Sequence, residues 1–279
     1  MIHTYPENNL TTKSQFPIGA SITLTELEED LHSVLHRLRT SEPVSWLPAV
    51  NAWLVTRYGD AVSVMRDATT YTVDHPGFST GLVVGPSMLS LDGDAHLRHR
   101  GPFERPFRKR AVETRFREPV AAQICALIDG FVRNGHAELR RAFAGPVAVK
   151  AMITALGMED VPVPEVLGLY DAIVDAVTRV TAGEPVSAEG REAFAALSAR
   201  LLPSLRNPGD SNLLAAAAGV SQGLSDEQII SNAAVLLFGG IETTEGMIAN
   251  ALYFLLTLLS GKGLSDKGQT ERGGKKNPP

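Results

Sequence analysis

One cysteine, Cys125, stands in 279 residues, so no internal disulfide can form, and a reducing compartment such as the cytoplasm is expected. The first residues offer no address: segment 1–16 is polar, lacks the apolar centre of a signal peptide, and reads as a flexible arm. An unbroken membrane span is missing too. The longest apolar stretch, residues 229–259, is split by Glu242 and Glu245 into halves shorter than the ~20 residues a span requires. No internal repeat is present, and a net charge of −5 gives no general preference for nucleic acid or membrane. What remains is a chain with 44% apolar residues, able to bury a substantial core as one large domain or two small ones.

The split apolar stretch is the hardest feature to explain as packing. Phe238-Gly239-Gly240-Ile241-Glu242-Thr243-Thr244-Glu245 places paired glycines, paired threonines and carboxylates inside a helix that is otherwise apolar on nearly every side, as expected of a helix crossing the middle of a domain. Each interior glycine costs roughly 1 kcal/mol relative to alanine, and an unpaired core carboxylate costs several. Ser225-Asp226-Glu227-Gln228 has the form of a capping box at its start. About 30 residues at ~1.5 Å each make a rod of about 45 Å. Gly239 and Gly240 lie one turn before Thr243 and Thr244 on the same face. Two readings are open: a groove for a small polar ligand beside a hydroxyl, or a close helix crossing with the threonines bonded to carbonyls four residues back.

Elsewhere the pattern is mainly helical with a small N-terminal β region. Residues 24–39 read as one amphipathic helix, and Pro43-Val44-Ser45-Trp46 with Ala52-Trp53-Leu54-Val55-Thr56 as two short strands about a turn near Asn51. Residues 60–67 read as a short helix, and 69–91, rich in Gly, Pro and Ser, as a binding loop or substrate lid. Helices are expected over 95–130, 137–156, 164–182 and 188–205. Between His96 and Arg117 seven arginines and Lys109 stand against Glu104 and Glu113. Such a segment is a solvated basic face, a site for carboxylates or phosphates, or a nucleic-acid surface; the last lacks any aromatic stacking platform. His96 and Arg100, one turn apart, can point at one anion.

Taken in order, these segments resemble the cytochrome P450 superfamily of heme-thiolate monooxygenases, most closely its soluble bacterial members, over about residues 17–259. Gly239-Gly240-Ile241-Glu242-Thr243-Thr244 is similar to the family's oxygen-groove pattern in its long central helix. His96-Leu97-Arg98-His99-Arg100 resembles its His-x-x-x-Arg, with Phe107 at the following phenylalanine. Trp53 to Tyr58, Gly135 to Leu139, Phe143 to Val147, and Leu156-Gly157 resemble further family segments. The resemblance implies heme as cofactor, with His96 and Arg100 bonding its propionates and Gly240 leaving room for dioxygen. Thr243, with Glu242 and water, would deliver protons for O–O cleavage. It also implies a ferredoxin-type electron donor docking near Arg105 to Arg110, and insertion of one oxygen atom into a small apolar substrate.

The departures are as informative as the matches. The family's Glu-x-x-Arg helix, its aromatic and arginine segment, and its glycine-rich loop with the thiolate cysteine have no counterpart after Leu259. Glu138-Leu139-Arg140-Arg141 has the letters of Glu-x-x-Arg but precedes the central helix, and Cys125 sits in an apolar helix without a glycine loop. The expectation is therefore a truncated, incomplete cytochrome P450 fold: a flexible arm (1–16), the N-terminal portion of the domain (17–259) and a disordered Gly- and Lys-rich tail (260–279). Cys125 is expected to be a buried structural thiol, with no metal ligand present. Pro102 and Pro106 are expected to kink or end the helix bearing His96 and Arg100. The competing reading is a noncatalytic helical protein that binds a hydrophobic small molecule or a partner protein.

Overall fold

Asn51 adopts a left-handed conformation, with φ at 48°, and this closes the hairpin between β1 (Val44–Leu47) and β2 (Ala52–Val55). The antiparallel register sets Trp46 opposite Trp53, and their rings meet edge to face at 5.6 Å. The computed structural model describes residues 15–207, 212–220 and 223–259. Apart from Gln15 and Phe16, the expected arm lies outside the described residues, as does the expected tail over 260–279.

The chain divides into two compact units at residue 72. The first holds the hairpin with α1 (Pro17–Ser21), α2 (Leu24–Glu29), α3 (Leu31–Ser41) and α4 (Tyr58–Arg66). Ile22, Val34, Leu38 and Leu47 form its core. The single helix expected over 24–39 is two helices. Thr23 and Glu26 close a capping box on α2, and the Asp30 side chain accepts from Ser33 N at 3.4 Å to start α3 anew. A local cap thus breaks a continuous amphipathic pattern.

The second unit contains α5 (Ser79–Val84), α6 (Gly93–Glu104), α7 (Lys109–Phe131), a π-helical turn (Arg140–Ala144), α8 (Gly145–Leu156), α9 (Val163–Thr181), α10 (Ala188–Arg206), α11 (Leu213–Ala218) and α12 (Asp226–Leu259). The helix expected over 95–130 is broken between α6 and α7, where Pro106 cannot donate a helical hydrogen bond and Arg108 is extended. Pro102, by contrast, lies inside α6. Both halves of the expected cap start α12: Gln228 N donates to Ser225 Oγ at 3.3 Å, and Ser225 N donates to Gln228 Oε1 at 3.1 Å. Its 34 residues span about 51 Å. Ile229, Ala233, Leu237 and Ile241 of α12 join Leu156, Ile173, Leu197 and Leu201 in one core. Beyond Gly246 the burial ends: Tyr253, Leu255 and Leu259 are exposed, an uncovered apolar surface of the kind that marks an interaction site or an aggregation risk. Among the described residues no helix is long and apolar enough to cross a membrane.

Candidate active site

The two glycines of α12 do different things. A Cβ at Gly240 would lie 2.3 Å from Met152 Sδ, whereas a Cβ at Gly239 would meet nothing within 4 Å. Gly240, expected to leave room for dioxygen, instead admits the α8 side chain Met152 to a close crossing, and the open face belongs to Gly239. Thr243 Oγ1 donates to the Gly239 carbonyl one turn back. The close crossing, one of the two readings open in sequence, is present at Gly240; at Gly239 and Thr243 the helix face is exposed.

Next along α12, Glu242 is exposed and Glu245 is buried. Tyr170 of α9 faces Glu242. Burial, and behind it the Glu242 charge and a hydrogen bond to that carboxylate, hold the phenol above its usual pKa, so it stays protonated as a donor. Glu245 accepts from Arg140 Nε at 2.8 Å and lies 3.6 Å from Arg141 Nη1. Glu138 in turn accepts from the backbone N–H groups of Arg140, at 3.1 Å, and of Arg141. The fragment with the letters of Glu-x-x-Arg therefore caps a π turn and presents its arginines to α12.

His96 and Arg100 both lie on α6, with Pro102 after them, so the proline does not remove either from the helix. His96 Nδ1 is 2.8 Å from the Met88 carbonyl. Arg100 lines a cavity of about 160 Å³ with Met88, Phe103, Glu104, Phe107 and Leu236, and forms a 3.5 Å ion pair with Glu104. Both side chains of that pair are more than half exposed, so it contributes little. Leu236 precedes Gly239 by three residues on α12, which brings the α6 site and the glycine–threonine turn to one stretch of helix.

Two residues missed in sequence tie α6 to α12. His99 is 1% exposed and Asn232 fully buried, and Asn232 Nδ2 lies 3.0 Å from His99 Nδ1. Asn232 is a polar interruption of an apolar run, seven residues before Gly239, and that spacing could have exposed it. Burial, followed by the Arg98 charge, holds the His99 imidazole below its usual pKa. As pH falls through about 6.5, the unfolded chain takes up a proton that the folded chain refuses. Stability from this residue is thus present above that pH and is lost below it, by up to ~1.4 kcal/mol per pH unit. Urea unfolding of His99→Leu should show a flatter dependence between pH 7 and 5 than the parent; equal slopes would refute the assignment.

Arg105, Arg108, Arg110 and Arg115 line an open cleft of about 700 Å³ with Ala111 and Thr114 and no carboxylate. Cys125 is exposed on α7, a helix with no buried residue. The expectation of a buried thiol fails because α7 lies at the surface along its whole length. Among the described residues no group of three or more His, Cys, Asp or Glu side chains could hold a metal ion.

No protein-family model matches the chain. Among curated proteins it is 28% identical over 252 residues to cytochrome P450 107B1 of Saccharopolyspora erythraea, covering 82% of this chain and 60% of that one. It is 30% identical over 260 residues to nocardicin C N-oxygenase of Nocardia uniformis, covering 88% and 63%. Among solved structures, cytochrome P450 260B1 of Sorangium cellulosum superposes with a TM-score of 0.68 and 26% identity over 82% of this chain and 59% of that one. The chain belongs to the cytochrome P450 superfamily. Its mainly helical architecture with a two-stranded sheet is a partial cytochrome P450 fold, and it spans about 60% of the length of the first curated relative.

Cytochrome P450s carry heme, and the residues present fit one end of that group. Arg100 borders a cavity whose other lining is apolar apart from Glu104, its exposed ion-pair partner, and His96 lies one turn before it on α6; a carboxylate of a macrocycle would take Arg100 in place of Glu104. Gly239 leaves a face of α12 open. The iron-ligand end does not fit, since the one cysteine stands exposed on α7.

Proposed function

We propose that this chain is the oxygen-groove and propionate-binding portion of a heme-thiolate monooxygenase that inserts one oxygen atom from O2 into a small apolar substrate. The observation that carries the reading is the Thr243 hydroxyl bonded to the Gly239 carbonyl beside the open Gly239 face. With its proton committed to that carbonyl, Thr243 Oγ1 turns its lone pairs outward and accepts a hydrogen bond from a group in the groove. Glu242, within reach of the Tyr170 phenol, is the carboxylate that takes protons from solvent and passes them through water toward Thr243. His96 and Arg100 anchor the propionates and so orient the cofactor. Heme, when bound, supplies the oxygen-activating redox chemistry that no side chain here can perform. The arginine cleft suits an acidic electron carrier of the ferredoxin type, because complementary charge speeds encounter.

Cys125 does not serve as the axial ligand, so the chain taken alone is expected to be inactive. Hemin titration of the purified chain, followed by reduction and carbon monoxide, tests both halves of the reading. His96→Ala with Arg100→Ala should weaken hemin binding at least tenfold, while Cys125→Ser leaves the carbonyl spectrum unchanged. Binding indifferent to both α6 substitutions would sink the propionate assignment. A thiolate-type carbonyl band abolished by Cys125→Ser would overturn the ligand statement. The reading of a noncatalytic binder draws on the exposed apolar end of α12, and saturable binding of a partner or apolar ligand with no hemin binding would favour it.

A further inference from the structure

Asn232 makes three side-chain hydrogen bonds, to three different segments, and commits both of its amide hydrogens. Its Oδ1 accepts from Met88 N at 2.7 Å, and its Nδ2 lies 2.7 Å from the Gln228 carbonyl and 3.0 Å from His99 Nδ1. A backbone N–H can only donate and a carbonyl can only accept, so these two neighbours fix which way the amide faces. The second amide hydrogen then points at His99 Nδ1, which must be a bare lone pair, and the His99 proton sits on Nε2. That atom is buried without a hydrogen-bond partner. The low basicity of His99, caused first by burial, favours the same neutral ring.

The Met88 backbone carries the constraint onward. Its N–H is held by Asn232, and its carbonyl accepts from His96 Nδ1 at 2.8 Å. His96 therefore carries a proton on Nδ1, leaving Nε2 as the ring atom available to a ligand. One residue earlier on α12, Ser231 Oγ donates to the Val84 carbonyl at 2.6 Å, so the segment before Met88 is stapled to the same turn. Gly85, at φ +82°, lets the backbone pass there, with a Cβ only 3.2 Å from Ser231 Oγ.

We propose that Asn232 is a positioning residue that holds His96 and His99, three residues apart on α6, in opposite tautomers and thereby aims Nε2 of His96 at the cofactor's carboxylate. The aim rests on the propionate reading above; the tautomers do not. A carboxylate at Nε2 of His96 requires a second proton on that ring, since Nδ1–H is already committed to Met88. The role parallels the outer partners of metal-bound histidines, whose hydrogen bond to one ring nitrogen decides what the other can do.

Long-range ¹H–¹⁵N correlation spectra of the full chain with ¹⁵N-labelled histidine, assigned with His96→Ala and His99→Leu, read the tautomers without any cofactor. The expected parent pattern is His96 protonated at Nδ1 and His99 protonated at Nε2. Asn232→Asp keeps an acceptor for Met88 N–H but has no donor for His99. It should move the His99 proton to Nδ1, or charge the ring, while leaving His96 unchanged. Asn232→Leu should also release Met88 and convert His96 to a mixture of tautomers. A merely structural amide would alter stability without this selective pattern. The proposal is overturned if the parent shows the two rings in the same tautomer, or if His99 is unmoved in Asn232→Asp; the parent spectrum decides the first even where the leucine variant does not fold. The opposite tautomers with hemin binding indifferent to His96→Ala would instead remove the cofactor reading and leave Asn232 as the setter of both rings.

Discussion

Exchanging Arg140 and Arg141 together for methionine is expected to destabilise the chain by about 2–3 kcal/mol, at or just below the ~3–5 kcal/mol cost of stripping a fully buried charge of its partners, because here the cations are exposed. Glu245 has only 11% of its side chain exposed, while the arginines are 59% and 75% exposed. Water therefore screens the cations but hardly reaches the carboxylate. Removing the cations leaves that carboxylate in the core beside Gly145, where a Cβ would already stand 3.4 Å from Glu245 Oε2. Adding Glu245→Leu to the pair should recover at least half of the loss, because an apolar side chain needs no compensation there. Arg140→Lys should lose less, about 0.5–1 kcal/mol, since it keeps charge but not the Nε donor. Urea midpoints at unchanged m report these differences. A double variant within about 0.5 kcal/mol of the parent, the scale of ordinary surface changes, would show that the clamp contributes nothing. Because Glu245 follows Glu242 by three residues and Thr243 by two, the clamp also limits how far this turn of α12 can rotate.

That clamp was not legible in the sequence, and the reason is physical. Glu245 and Arg140 are 105 residues apart, and nothing local marks a surface arginine as the partner of a core carboxylate. Features set by neighbours in the chain fared better. The capping box at Ser225 and the turn at Asn51 stand where the pattern placed them, since each depends on a few adjacent residues. Even so, Asp30 and Pro106 broke two helices that periodicity joined, because a cap or a missing N–H outweighs an apolar stripe. Cys125 shows the limit of apolar surroundings as a guide to burial: α7 carries apolar residues yet buries none. Asn232 was readable in principle, as a polar residue inside an apolar run, but its partners Met88 and His99 are not. The glycine pair has the same limit, since adjacent helical residues point about 100° apart and only the position of α8 decides which one is filled.

This difference makes alanine substitutions at the two glycines a sharp test. Gly240→Ala should destabilise the chain by about 1–2 kcal/mol: a contact this short puts overpacking at about 2–3 kcal/mol, the upper part of its usual range, and roughly 1 kcal/mol returns from better helix propensity. The new methyl would sit 2.3 Å from Met152 Sδ and 2.9 Å from its Cγ, so the whole side chain must leave its rotamer within a core where Met152 is 9% exposed. Gly239→Ala meets nothing within 4 Å and should stabilise by about 0.5–1 kcal/mol from propensity alone. Met152→Ala will cost about 2–5 kcal/mol by itself, but in the Gly240→Ala background the clash disappears and the new methyl fills part of the void. The cycle should therefore show a favourable coupling of at least about 1 kcal/mol. Equal effects of alanine at the two glycines, or strict additivity with Met152→Ala, would mean that α8 does not cross α12 at Gly240. If the signs differ as expected, the open face at Gly239 becomes the place to look for lost hemin affinity, because there alanine would fill space without disturbing the fold.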